Sequence, residues 1–140
     1  MRPTDKLIEL IHKKHDVLVQ LREMGRRQAQ LVNGGDVTEL LKLLGTKQHL
    51  IVGLQELERD LKPYYAENPE ARIWRSPAER AHCAKLANEC NSILEEVVAL
   101  ERTGAEQMTL RKTEVADQLN HAHSAVHVRN AYSAQRRSIA

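Results

Sequence analysis

The chain has no phenylalanine, one tryptophan and three tyrosines in 140 residues. Any core it builds is therefore aliphatic. Glycine and proline are scarce, at six and four, and no segment reads as a strand. With no strand there is no strand followed by a glycine-rich phosphate loop. Net charge is nearly absent too: 21 Lys and Arg against 19 Asp and Glu leave +2, too balanced to argue for nucleic acid. No apolar run is long enough to span a bilayer. Met1-Arg2-Pro3-Thr4-Asp5 leads straight into a charged amphipathic segment rather than a signal peptide. No membrane insertion and a cytoplasmic location are the expectations. The two cysteines, Cys83 and Cys90, stand seven residues apart in a predicted helix. Their Cα atoms would be about 10 Å apart at 1.5 Å per residue, beyond the roughly 7 Å a disulfide tolerates. Buried packing is the expected role of both.

What remains is aliphatic and charged residues at helical spacing, which predicts an all-α fold and, at this length, one domain. A first helix is expected over about 4–33. Its stripe is Leu7, Leu10, Ile11, Val17, Leu18, Leu21, Met24, Leu31 and Val32, interrupted by Lys14 and Gln28. Those two long side chains are expected to lie along apolar surface with their ends in water. The helix closes at Asn33-Gly34-Gly35, where a left-handed residue fits. Asp36 and Glu39 form an Asp-x-x-Glu box that opens the next helix. So short a connection makes the two helices an antiparallel hairpin.

The second helix is expected over about 36–62, with Val37, Leu40, Leu41, Leu44, Ile51, Leu54, Leu57 and Leu61 as its stripe. Lys47-Gln48 reads as a polar gap, and Pro63 as the stop. Gly45 and Gly53 in its interior either soften it or let a neighbouring helix approach. The segment Pro63–Ser76 holds Tyr64, Tyr65 and Trp74. It is read as a lid over one end of the bundle, with a partner-binding loop as the alternative.

Ser76, Pro77 and Glu79 form the cap, first-position proline and capping box of a third helix, from 77 to 120 or beyond. Its stripe runs Leu86, Cys90, Ile93, Leu94, Val97, Val98, Leu100, Met108, Val115, Leu119, Ala122 and Val126. Unbroken to Arg129 it would be about 80 Å long, against about 40–45 Å for the other two. Either it breaks near Thr103-Gly104 or its second half extends beyond the hairpin and needs a partner. The fold expected is thus an antiparallel hairpin plus a long third helix, a three-helix, coiled-coil-like bundle over 1–120. Residues 121–140 read as a tail that is flexible or folds on binding.

Catalytic chemistry finds little support. Glu9-x-x-His12 and Glu79-x-x-His82 have the spacing of dinuclear metal bundles. At 100° per residue, however, Glu9 and His12 point about 140–160° away from their stripe, towards water. Glu79 is already committed to capping. His121, His123 and His127 form the densest histidine cluster. They read as a solvated patch that takes up nickel or zinc adventitiously. No Ser/His/Asp or Cys/His set is recognisable by spacing. No catalytic residue, metal ligand or cofactor is assigned. A metal-dependent bundle enzyme is the remote alternative.

The run Leu31-Val32-Asn33-Gly34-Gly35-Asp36-Val37-Thr38-Glu39-Leu40, then Lys47-Gln48-His49-Leu50, Leu54 and Leu57-Glu58-Arg59, resembles the FlgN-type flagellar export chaperones. That family has a Gly-Asp turn, a leucine stripe, a lysine about eleven residues after the aspartate and a Leu-Glu-Arg-like ending. The order of loop, long third helix and carboxy-terminal tail is similar as well. Asn130-Ala131-Tyr132 is similar to a tyrosine-containing tail of the family, without the glycine that follows it there. The resemblance implies a cytoplasmic, non-enzymatic chaperone whose carboxy-terminal amphipathic helix binds hook–filament junction proteins before export. That role would fall on Val115, Leu119, Ala122 and Val126, with Met108 and Tyr132 completing the apolar set. An export-apparatus component is a further partner the resemblance implies. The competing reading is a structural coiled-coil protein, a homo-oligomer that self-associates through helix three.

Overall fold

The computed structural model describes the backbone of residues 2–139 and the side chains of residues 2–131. Three α-helices account for nearly all of it: α1 (Pro3–Gly34), α2 (Val37–Ala66) and α3 (Pro77–Ile139), with a short 3-10 turn at Pro69–Ala71. The fold is all-α. The caps fall where the sequence places them. Gly35 closes α1 with φ 72° and donates its N–H to Leu31. The Asp36 carboxylate accepts from the Glu39 N–H at 3.1 Å, and the Ser76 hydroxyl accepts from the Glu79 N–H at 3.1 Å. No helix among the described residues is long and apolar enough to cross a membrane.

Two corrections concern helix two and its gap. Pro63 does not end α2, which continues to Ala66. The missing proline N–H removes only one helical bond, that to the Arg59 carbonyl. Beyond it Tyr64 packs on the core, which offsets that loss. The inward line of α2 also differs from the expected one in its first half, whereas Ile51, Leu54, Leu57 and Leu61 pack on the core as expected. Leu43, Lys47 and Leu61 are its buried residues, while Val37 and Leu41 are 63% and 64% exposed.

The helix directions follow from their cross-links. Lys14 pairs with Glu58 and Gln28 with Lys47, so numbers fall on α2 as they rise on α1, and the pair is antiparallel. On α3 they rise together: His12 meets His82, His15 meets Glu89 and Arg22 meets Glu96. The first part of α3 therefore runs parallel to α1, and Lys47 of α2 reaches Glu101 of α3, so each helix meets the other two. The central core takes Leu7, Leu10, Ile11, Leu18 and Leu21 from α1, Cys83, Leu86, Cys90, Ile93 and Val97 from α3, and Leu61 from α2, with Leu50, Ile51, Leu54 and Leu57 of α2 half-buried against it. Burial pushes both thiols above their ordinary titration range, as befits cysteines that pack rather than react.

Contacts divide the chain into two units, Met1–Gly104 and Ala105–Ala140. The helical assignment itself passes through Thr103-Gly104 without interruption. Gly104 is buried against Gln28, whose side-chain end would have to shift to admit a Cβ. A Cβ there would lie 2.7 Å from the Gln28 amide nitrogen. At Gly25 a Cβ would lie 3.0 Å from the Cβ of Leu100, so α1 and α3 touch at that point. Gly45 and Gly53 have nothing within 4 Å, which excludes close helix approach as their reason.

Candidate interaction surface

The residues expected to bind a client lie in the second unit. At 100° per residue, Met108, Val115, Leu119, Ala122 and Val126 fall within about 60° of one another around the helix axis. Val115, Leu119 and Val126 are 43%, 65% and 50% exposed. Ala122 is exposed and Met108 is half-buried. The Tyr132 side chain lies outside the described residues. Leu110 and Val128, also exposed, sit on the opposite side of the same helix. Local bonds hold the segment: Arg111 pairs with Glu114 at 3.3 Å, and the Thr113 hydroxyl donates to the Thr109 carbonyl at 3.0 Å. The result is a helix with an uncovered apolar line, flanked by charge, which can bury itself against another amphipathic helix.

His121, His123 and His127 are exposed on this segment. Among the described residues no three His, Cys, Asp or Glu side chains converge as metal ligands.

The first unit carries its polar chemistry inside. Lys14, Gln28 and Lys47 are 8%, 3% and 6% exposed. This corrects the expectation that Lys14 and Gln28 end in water. Lys47 donates to the Gln28 side-chain oxygen at 2.6 Å and to both oxygens of Glu101, at 2.9 and 3.0 Å. One ammonium thus ties all three helices together. Lys14 is held by the Glu58 carboxylate and lies 3.4 Å from the Tyr65 hydroxyl. Burial acts against its charge, but Glu58 and Tyr65 outweigh it and raise its pKa. Such pairs were not legible from spacing within one helix, because each lysine finds its acid on another.

The segment after α2 does form a lid on the amino-terminal end of α1. Trp74 packs on the core beside Tyr64 from the last turn of α2, and Thr4 donates its hydroxyl to the Ile73 carbonyl at 2.8 Å. Arg75 reaches Asp5 at 2.9 Å. Arg72 donates to the Tyr64 carbonyl at 2.6 Å and pairs with Glu67 at 2.9 Å. With Trp74 drawn into these contacts, the lid leaves Ile73 exposed at 72%, and Tyr65 at the end of α2 is 56% exposed. Compared with known proteins, the chain matches no family model, no curated protein and no solved structure.

Proposed function

We propose that this chain is a cytoplasmic, non-enzymatic export chaperone of the FlgN type. Its client is a hook–filament junction protein, and the second unit is where it binds. The supporting observation is the uncovered apolar line Val115, Leu119, Ala122 and Val126 on one face of a helix. The resemblance of Leu31–Arg59 to that family supports the same reading. A client segment with its own heptad-spaced leucines would lie along this line. Both apolar faces would be buried, and the client could not polymerise early. Each large aliphatic side chain buried contributes roughly 1.5–3 kcal/mol, offset by the ordering and association terms. Affinity in the micromolar to submicromolar range follows.

The test is co-purification from a flagellated host of the full chain, of a chain ending at Gly104, and of a Leu119→Asp, Val126→Asp double variant. The reading requires the full chain to retain a junction-type export substrate and both altered forms to lose it. If no form retains one and the full chain is oligomeric by light scattering, the self-associating coiled coil replaces the chaperone. If the double variant retains the substrate, the assignment to this face is wrong.

A further inference from the structure

The structure brings together the two histidines of the Glu-x-x-His strings, from different helices. His12 of α1 and His82 of α3 approach with 3.3 Å between their Nε2 atoms. Their ring centroids are 5.3 Å apart and the rings are inclined at 41°. Both side chains are exposed. We infer that this pair is a divalent transition-metal site, with zinc as its natural occupant class, that clamps α1 to α3.

The geometry carries the inference. Zinc binds imidazole nitrogen at about 2.0–2.1 Å in tetrahedral sites, which sets the edge between two such nitrogens at about 3.3 Å. His12 and His82 already hold their Nε2 atoms at that edge. Their backbones are held in place by neighbours: Ile11 and Cys83 are both buried in the core, and the Cys90 thiol reaches the Ile11 carbonyl at 3.9 Å. A metal would replace the hydrogen bond between the two nitrogens, with both rings neutral and turned so that each Nε2 lone pair faces it, while the backbones stay in place. An imidazole pair is also the donor set that zinc, nickel and copper select over calcium or magnesium.

The remaining positions go to water. Among the described residues no third His, Cys, Asp or Glu completes a ligand set. Glu9, one turn before His12, is engaged by Lys13 at 3.0 Å and Lys6 at 3.6 Å. Glu79, one turn before His82, donates its backbone N–H to the Ser76 hydroxyl, and its carboxylate lies 4.0 Å from Arg75. His15, one turn further along α1, is bonded to Glu89 at 3.0 Å. The site is therefore open and exchangeable, and its consequence is mechanical. Metal joins two helices only in the folded chain, so it shifts the unfolding equilibrium by mass action.

Untagged full-length protein, stripped with chelator, is titrated with zinc chloride by calorimetry and melted at rising zinc concentrations. The expected result is one clamp zinc per chain and a Tm that climbs with the logarithm of free zinc. His12→Asn and His82→Asn should each abolish that climb and weaken binding at this site about 100-fold, because a chelating pair becomes a single ligand. A His123→Asn, His127→Asn double variant should leave the climb unchanged. A Tm insensitive to zinc would reduce the pair to an imidazole–imidazole hydrogen bond and overturn the site. So would a climb that survives both single substitutions, or one lost only in the carboxy-terminal double variant.

Discussion

Lys47 occupies a position where the helical period of α2 calls for a leucine. Measured from Leu43, the residues at 47, 50, 54 and 61 fall within about 40° of one line, and of these Leu43, Lys47 and Leu61 are buried. Reading the lysine as a gap rotates the inferred face and places Val37 and Leu41 inside, whereas both are exposed. Leucine surrounds the helix at 40, 41, 43 and 44, so leucine content cannot choose the face. The ammonium chooses it, because only one rotation delivers it to Gln28 and Glu101. Replacing Lys47 by methionine keeps the volume but strands the Gln28 oxygen, which is 3% exposed as a residue. The expected cost is about 1–3 kcal/mol. Combining Lys47→Met with Gln28→Leu should recover part of it, since the buried amide goes with its partner while Glu101, the lysine's other acceptor, is 38% exposed and can turn to water. Urea midpoints of the two single variants and the double variant measure this coupling. Additive losses would mean that the bond at 2.6 Å does not set the face.

Glycines make the same point in reverse. In sequence, Gly45 and Gly104 look alike as interruptions of leucine-rich helices. Only neighbours separate them. Gly45→Ala and Gly53→Ala enter open space and should each stabilise the protein by about 0.5–1 kcal/mol through backbone entropy. Gly25→Ala drives a methyl against the Leu100 Cβ, which cannot move without its helix. Gly104→Ala displaces a Gln28 amide that Lys47 holds from its other side. Each should destabilise by about 1–3 kcal/mol. Thermal melts of the four variants should split two against two. A stabilising Gly104→Ala would show that Gln28 yields freely.

At the scale of elements, caps and helix starts were the legible part, because they are written in neighbouring residues, whereas the end of α2 beyond Pro63 was not. Gly35, Asp36, Ser76 and Glu79 act within one turn of where they stand. The lid was legible as a segment from its aromatics, but its fastening was not. Asp5 and Arg75 are seventy residues apart, and no local pattern joins them. Their bond has a pH signature. The Arg75 guanidinium, followed by the Arg2 N–H, holds the Asp5 carboxyl below its usual 3.8. A carboxyl with a lowered folded pKa stabilises the fold above its unfolded value and loses that contribution as pH falls through the folded one. Lid fastening should therefore be complete above about pH 5 and fade below about pH 4. Asp5→Asn and Arg75→Gln should each flatten the acid limb of stability between about pH 3 and 5. They should have little effect on its alkaline side. Amide protection factors at residues 72–75, with the intrinsic pH dependence of exchange divided out, give a local readout, and protection there that does not change with pH in the parent chain would refute the fastening.

At the scale of the whole molecule, each unit has its own source of order. The first holds every residue of the buried core, the last of them Val97, and the Lys47, Gln28 and Glu101 cluster just beyond it. The second, through residue 131, is a helix whose described apolar side chains are mostly exposed. Its helicity rests on local bonds and propensity, which are weak without tertiary cover. A chain ending at Gly104 should therefore unfold cooperatively in urea. Its unfolding free energy should lie within about 1 kcal/mol of the full chain's, the difference coming from fraying near Glu101. The Leu119→Asp, Val126→Asp double variant should match the full chain still more closely, because neither side chain contributes to the core. This outcome decides how client binding is read. If both forms keep the fold and lose the client, the loss belongs to the apolar line itself. If the truncated chain melts without cooperativity, Ala105 onwards supports the bundle, and loss of client by truncation would no longer locate the site.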